Sequence, residues 1–125
     1  MNCRVVKIKK RPDFLRIAKH GQKVVKSGFV LQALRRTKAT AKGVGDTDVR
    51  IGYTASKKVG KAVVRNRSKR RLRALCAALL PTEGTPGFDY VLIARYKTAD
   101  APYQKLLNDL KEALTRIKEG DGAAS

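Results

Sequence analysis

Between Lys57 and Arg73 the chain places nine Lys or Arg in seventeen residues, with no acid among them. Cations at this density bind anions. The planar guanidinium of Arg meets phosphate oxygens and guanine edges through paired hydrogen bonds. Like charges at i,i+3 and i,i+4 repel unless something negative lies over them, and a merely soluble helix face mixes the two signs. At 100° per residue Val64, Ser68, Leu72, Leu75, Cys76 and Leu79 fall on one face of a helix, and Asn66, Lys69, Arg70 and Arg73 on the opposite one. Arg67 and Arg71 line one flank, and Arg65 stands near the apolar boundary on the other. The pattern is an anchored helix with a cationic outer surface.

Other chemistries find less material. The ten acids, Asp13, Asp46, Asp48, Glu83, Asp89, Asp100, Asp109, Glu112, Glu119 and Asp121, are scattered, and there is one histidine. A protein nuclease needs clustered carboxylates for metal ions or a pair of histidines for proton transfer, so no catalytic or metal-binding residues are assigned. His20 reads as a cation at a helix C-terminus. Cys76 belongs to an apolar helix face, Cys3 to the N-terminal arm, and two isolated cysteines build neither a disulfide framework nor a zinc site. A reducing, cytoplasmic setting is the default. Lys57–Lys61 holds one glycine, too few for a phosphate loop.

The elements that must position the basic helix follow from periodicity. The chain has 125 residues, 29 Lys and Arg against 10 Asp and Glu, a net charge of +19 and 42% hydrophobic residues. That is enough apolar material for one domain, and the charge calls for a polyanion. A membrane surface fits poorly, since no Trp is present and no apolar run approaches the ~20 residues of a membrane span. Residues 1–11 read as a basic arm, poorly ordered before binding, 12–118 as a single α+β domain, and 119–125 as a small-residue, flexible tail. A first helix opens at Pro12-Asp13 and closes at Gly21, expected as a left-handed cap. Val24–Arg36 reads as one long strand and Thr37–Asp48 as a mobile basic loop. In the next strand Arg50, Gly52, Thr54 and Ser56 share a polar face open to a ligand. The basic helix runs from Ala62 to Leu80, stopped by Pro81. Asp89–Arg95 reads as a central strand, and Asp100 as N-cap of a last helix with Tyr103, Leu107, Leu110, Leu114 and Ile117 along its apolar stripe. The order is α-β-β-α-β-α, with a sheet of three or four strands and helices two and three on one face.

The stretch from Arg50-Ile-Gly-Tyr-Thr-Ala-Ser56-Lys57-Lys58-Val-Gly60 through Arg65-Asn66-Arg67-Ser-Lys69-Arg70-Arg71-Leu-Arg73 resembles the signature of the bacterial ribonuclease P protein subunit. The resemblance extends to Asp13-Phe14, Lys19-His20-Gly21 and Asp89-Tyr-Val-Leu-Ile-Ala-Arg95. It implies a sandwich like the second domain of ribosomal protein S5, with a left-handed βαβ crossover. It also implies a subunit of an endoribonuclease that matures the 5′ end of tRNA, in which the RNA catalyses with magnesium ions that it mainly holds itself, the protein alone binding none. The protein, monomeric apart from the RNA complex, would bind the catalytic RNA through Arg65, Asn66, Arg67, Lys69, Arg70 and Arg73, joined by Lys57, Lys58 and Lys61. It would hold the 5′ leader of precursor tRNA in a cleft of Phe14, Val30, Gln32, Thr54 and Ser56, rimmed by Lys57 and Lys58. Phe14 fits a core aromatic equally well. Ala18 and Gln32 stand where aromatics are common in the family, which moves the cleft from stacking towards charge and hydrogen bonding. A ribosomal or general RNA-binding protein with an S5-like fold, and a self-sufficient nuclease, are the alternatives.

Overall fold

The structure, a computed structural model, describes residues 3–36 and 43–123, with side chains through residue 120. The element order is β1 (Val5–Lys7), α1 (Arg11–His20), β2 (Gln22–Val25), β3 (Phe29–Arg35), β4 (Val49–Thr54), a 3-10 turn (Lys57–Val59), α2 (Ala62–Glu83), β5 (Phe88–Ala94) and α3 (Tyr103–Ala123). The five strands form one mixed sheet in the order β1-β4-β5-β3-β2. The β1–β4 and β4–β5 pairs are parallel, and the β5–β3 and β3–β2 pairs antiparallel. The expected central strand is β5, whose residues are almost all buried, as befits a strand covered on both sides.

Side-chain alternation divides the sheet. Phe29, Leu31, Ala33, Ile51, Tyr90 and Leu92 face α2 and α3, whose Leu72, Leu75, Cys76, Leu80, Leu106, Leu110 and Leu114 complete the main core. Helices two and three therefore share a face, as the periodicity requires. The first helix takes the other face, where Ile17 packs with Ile8 and Val91, flanked by Phe14, Leu34 and Ile93.

Six expectations are corrected. The sheet has five strands rather than three or four, so the α-β-β-α-β-α order gains a leading strand and an extra one before β3. The arm is built into the fold: β1 pairs with β4, Ile8 is buried, and Arg4 donates to Asp48 at 2.6 and 3.1 Å. The long strand is a hairpin, because Lys26-Ser27-Gly28 turns the chain and the Lys26 N–H closes on the Phe29 carbonyl. Gly21 is extended rather than left-handed, and glycine is needed there because a Cβ would lie 2.5 Å from the Ile17 carbonyl oxygen and 2.6 Å from that of Ala33. Helix α2 continues past Pro81 to Glu83; the proline sits in the last turn, its carbonyl accepts the Cys3 N–H at 2.7 Å, and the Gly84 N–H reaches the Leu80 carbonyl. Helix α3 starts at Tyr103, so Asp100 lies in the preceding turn, and it runs on to Ala123 through most of the stretch read as a tail. Half of the expected mobile loop, residues 37–42, lies outside the described residues, whereas 43–48 is held by Arg36, whose guanidinium donates to the Gly45 and Asp48 carbonyls.

Candidate nucleic-acid interface

The turn that launches α2 depends on Gly60, whose φ of 144° and ψ of −166° suit glycine alone. Beyond it α2 presents its faces as its periodicity requires. Ser68, Leu72, Leu75 and Cys76 are buried, and the Ser68 hydroxyl donates to the Val64 carbonyl. Asn66, Lys69, Arg70 and Arg73, with Val63, line an open groove of about 470 Å³ on the outer side. Lys57, Lys58, Lys61 and Arg67 are exposed at its approaches. Arg67 comes within 3.9 Å of the exposed Asp100 carboxylate, too long for a strong pair. Arg65 is half-buried, and its Nε, shielded from solvent, has no hydrogen-bond partner among the described residues.

Arg71 behaves differently. Its Nη1 donates to the Thr98 and Ala99 carbonyls at 2.9 and 2.8 Å, clipping α2 to the turn between β5 and α3. That turn is itself tied down by the buried Thr98 hydroxyl, which donates to the Gly28 carbonyl at 2.6 Å. Arg71 therefore holds the basic helix in place, and its neighbours on the outer face are the ones turned to solvent.

A second groove, of about 490 Å³, opens beside α2 and is lined by Lys9, Arg11, Phe14, Leu15, Tyr53, Thr54, Ala55 and Lys69. Lys69 borders both grooves, so the outer face of α2 and the mouth of α1 form one continuous cationic surface. The groove exists because β1 is short. It pairs with β4 only from Val49 to Ile51, and among the described residues the remainder of β4, Gly52–Thr54, has no strand partner on that side. Tyr53 stands at this uncovered edge with the Arg73 guanidinium 5.9 Å from its ring centre. Tyr53 and Cys76 are neighbours here; burial pushes the Tyr53 phenol up, and burial likewise pushes the Cys76 thiol up to about 12.

The expected cleft residues are distributed over this face. Thr54, Ile93, Val30 and Val25 form one row across four strands, and Gly52, Val91, Gln32 and Lys23 the next. Thr54, Val30 and Gln32 thus share the α1 side of the sheet, with Ile93 between Thr54 and Val30. Phe14 borders the groove and packs against Gly52. Ser56 is exposed just before the 3-10 turn. Lys9, Arg11, Leu15, Tyr53 and Ala55 are groove residues that the sequence reading missed. The edge strand that carries Lys9 and Arg11 to the groove left only a weak trace in the sequence, the apolar Val6 and Ile8 within a lysine-rich stretch.

Beneath α1 lies a buried ionic cluster. Arg50 donates to both oxygens of the fully buried Asp89 carboxylate at 2.8 and 2.6 Å. Arg16 of α1 donates to it at 2.7 Å and Arg36 at 3.1 Å. Burial alone would push this carboxyl up; the hydrogen bonds from Arg50, Arg16 and Arg36 outweigh it and hold the group below the usual carboxylate value. Asp13 approaches the same cations, 3.4 Å from Arg50 and 3.5 Å from Arg16. Part of the large positive charge is thus consumed internally. Among the described residues no three His, Cys, Asp or Glu side chains converge on a point that could hold a metal ion, and no helix is long and apolar enough to cross a membrane.

A family model described as Ribonuclease P matches residues 3–118. The ribonuclease P protein component of Paramagnetospirillum magneticum is 43% identical over 117 residues, covering 94% of this chain and 86% of that one. That of Ruegeria pomeroyi is 45% identical over 111 residues, covering 88% and 84%. Among solved structures, the RNase P protein from Thermotoga maritima superposes with a TM-score of 0.71 at 27% identity, covering 89% of this chain and 96% of that one. The RNase P protein from Staphylococcus aureus does so with 0.69 at 30%, covering 90% and 94%. With this coverage and a shared fold, the chain belongs to the ribonuclease P protein component family, the protein subunit of the holoenzyme that cleaves tRNA precursors.

Proposed function

We propose that the two grooves divide the work of the subunit. The outer face of α2, with Arg65, Asn66, Arg67, Lys69, Arg70 and Arg73 and the approaches Lys57, Lys58 and Lys61, binds the catalytic RNA. The α1 side of the sheet, with Phe14, Val30, Gln32, Thr54 and Ser56, takes the single-stranded 5′ leader of precursor tRNA. The observation that carries this reading is Lys69, which lines both grooves and makes them one surface, so that two RNAs can be held side by side with their phosphate repulsion offset. The leader is remote from the scissile bond, and its binding energy raises substrate affinity. Magnesium ions supply the cleavage chemistry and are held mainly by the RNA. Asp13 and Asp89, the acids nearest the cleft, are occupied by guanidiniums, and the protein contributes positioning and charge. The β4–α2–β5 unit follows the S5-like, left-handed crossover that the family resemblance implies, and the subunit acts in the cytoplasm.

The test mixes purified protein with a ribonuclease P RNA and precursor tRNA at low magnesium. Accelerated cleavage with a lowered KM is expected. Unchanged cleavage contradicts the reading, and cleavage by the protein alone would favour a self-sufficient nuclease.

A further inference from the structure

Helix α1 covers only part of its side of the sheet. Ile17 and Phe14 sit over the rows that contain Asp89 and Val91, while the next row, Thr54, Ile93, Val30 and Val25, is only partly covered, with Ile93 at the edge of the α1 cluster. The covered and open rows are alike in kind: Val91 and Leu34 lie under α1, and Ile93, Val30 and a half-exposed Val25 lie beyond it. They are separated by one two-residue step along the strands, about 6.7 Å, which keeps every side chain on the same face. Apolar contact is non-directional and does not choose between these rows. Its C-terminus is fixed by Gly21 and the β2 strand that starts at Gln22, but a helix held elsewhere by Ile17 and Phe14 alone could swing about that junction and bury the very surface on which the leader is proposed to lie.

Two features oppose the shift. The Arg16 guanidinium is bonded at 2.7 Å to a carboxylate that belongs to the covered end of β5, and that carboxylate has no exposure of its own. Arg50 and Arg36 fix the carboxylate from the strand and loop beneath. Moving α1 by one step would separate Arg16 from Asp89 and leave both with fewer partners in a water-poor setting, a directional penalty that the apolar contacts lack.

We propose that Asp89, acting through Arg16, is a positioning residue that pins α1 at one end of the sheet and so keeps the leader row open. This rests on the assignment of that row to the leader.

The experiment uses the full chain assembled with a ribonuclease P RNA, and compares affinity for precursor tRNA and for mature tRNA lacking the leader. The unsubstituted subunit should favour the precursor. Arg16→Gln, which leaves Asp89 held by Arg50 and Arg36, should reduce that preference at least fivefold, with affinity for mature tRNA and for the RNA subunit changed less than twofold. Arg16→Lys should restore most of it. Asp89→Asn, at a site that cannot touch RNA, should reproduce the loss, with Asp89→Glu as the substitute where the Asn variant does not fold. A preserved preference in Arg16→Gln overturns the proposal. Loss with Arg16→Gln but not with the Asp89 variants assigns Arg16 to direct leader contact and overturns it too. Absence of any preference in the unsubstituted subunit instead overturns the leader reading on which the proposal rests.

Discussion

The Phe14 ring lies against Gly52 so closely that a Cβ on residue 52 would stand 2.5 Å from its Cε1. This groove-lining aromatic is thus seated on the one β4 residue that has no side chain. Phe14 is neither a plain core residue nor a free stacking platform: its ring is supported from below and borders the groove.

Gly52→Ala should therefore displace the ring. We expect a loss of about 1–3 kcal/mol from overpacking, measured by denaturant unfolding, together with weaker binding of precursor tRNA and unchanged affinity for the RNA subunit. Unaltered precursor binding would show that the ring position does not shape the cleft.

The arginines of α2 should separate into two classes. Arg70→Ala should lower affinity for the RNA subunit and flatten its dependence on log salt by about 0.7–0.9, the effect of neutralising one phosphate fewer. Arg71→Ala should leave that slope unchanged and lower the Tm instead, because its partners are the Thr98 and Ala99 carbonyls. Equal slopes for both variants would contradict the assignment.

Acid should weaken the fold through Asp89. Its carboxyl is held below the ordinary value in the folded state, so the folded state binds fewer protons than the unfolded one near pH 4. The resulting stability is fully present above the unfolded value and disappears as the pH falls through the folded one. Unfolding free energy should be flat from about pH 5 to 7 and decline below about pH 4. Asp89→Asn should lose about 3–5 kcal/mol at neutral pH, by leaving buried guanidiniums uncompensated, and show a shallower acid decline. A decline as steep as that of the unsubstituted chain would place the titration elsewhere.

Cys76 is buried, and that burial pushes its thiol up to about 12. Thiolate is the reactive form, so Cys76 should resist alkylation in the folded protein while the more accessible Cys3 reacts. Mass spectrometry should find one rapid adduct per native chain and two after denaturation. Rapid labelling of Cys76 would mean that the α2–β4 contact opens readily.

Most of α2 was legible because one turn repeat decides which side chains point inward, and Ser68, Leu72, Leu75 and Cys76 are buried accordingly. Arg71 was not, since a helical repeat says which flank a residue occupies but not that the β5–α3 turn lies against it. The cluster around Asp89 was equally invisible: its partners lie 73, 53 and 39 residues away along the chain. No local pattern announces that three arginines of a basic protein are spent on one carboxylate. Strand β1 escaped because three residues give too little alternation, and lysines on a short edge strand imitate a basic tail. The β2–β3 hairpin carried its signal in Lys26-Ser27-Gly28, a turn between two β-rich runs. Strand alternation put Val30 and Gln32 on one face and Thr54 on a face with Ser56, and bringing the two strands' faces together on the α1 side took the family resemblance, whereas Lys9 and Arg11 required the tertiary position of β1.

The central claim, that one continuous surface holds two different RNAs, is tested most directly by crosslinking from defined positions. In a Cys3→Ser background, Thr54→Cys and Asn66→Cys carry a photoactivated aryl azide in turn, and the holoenzyme is irradiated with bound precursor tRNA. Position 54 should crosslink to the leader and position 66 to the catalytic RNA. Crosslinks from both positions to the catalytic RNA alone, with none to the leader, would contradict the account.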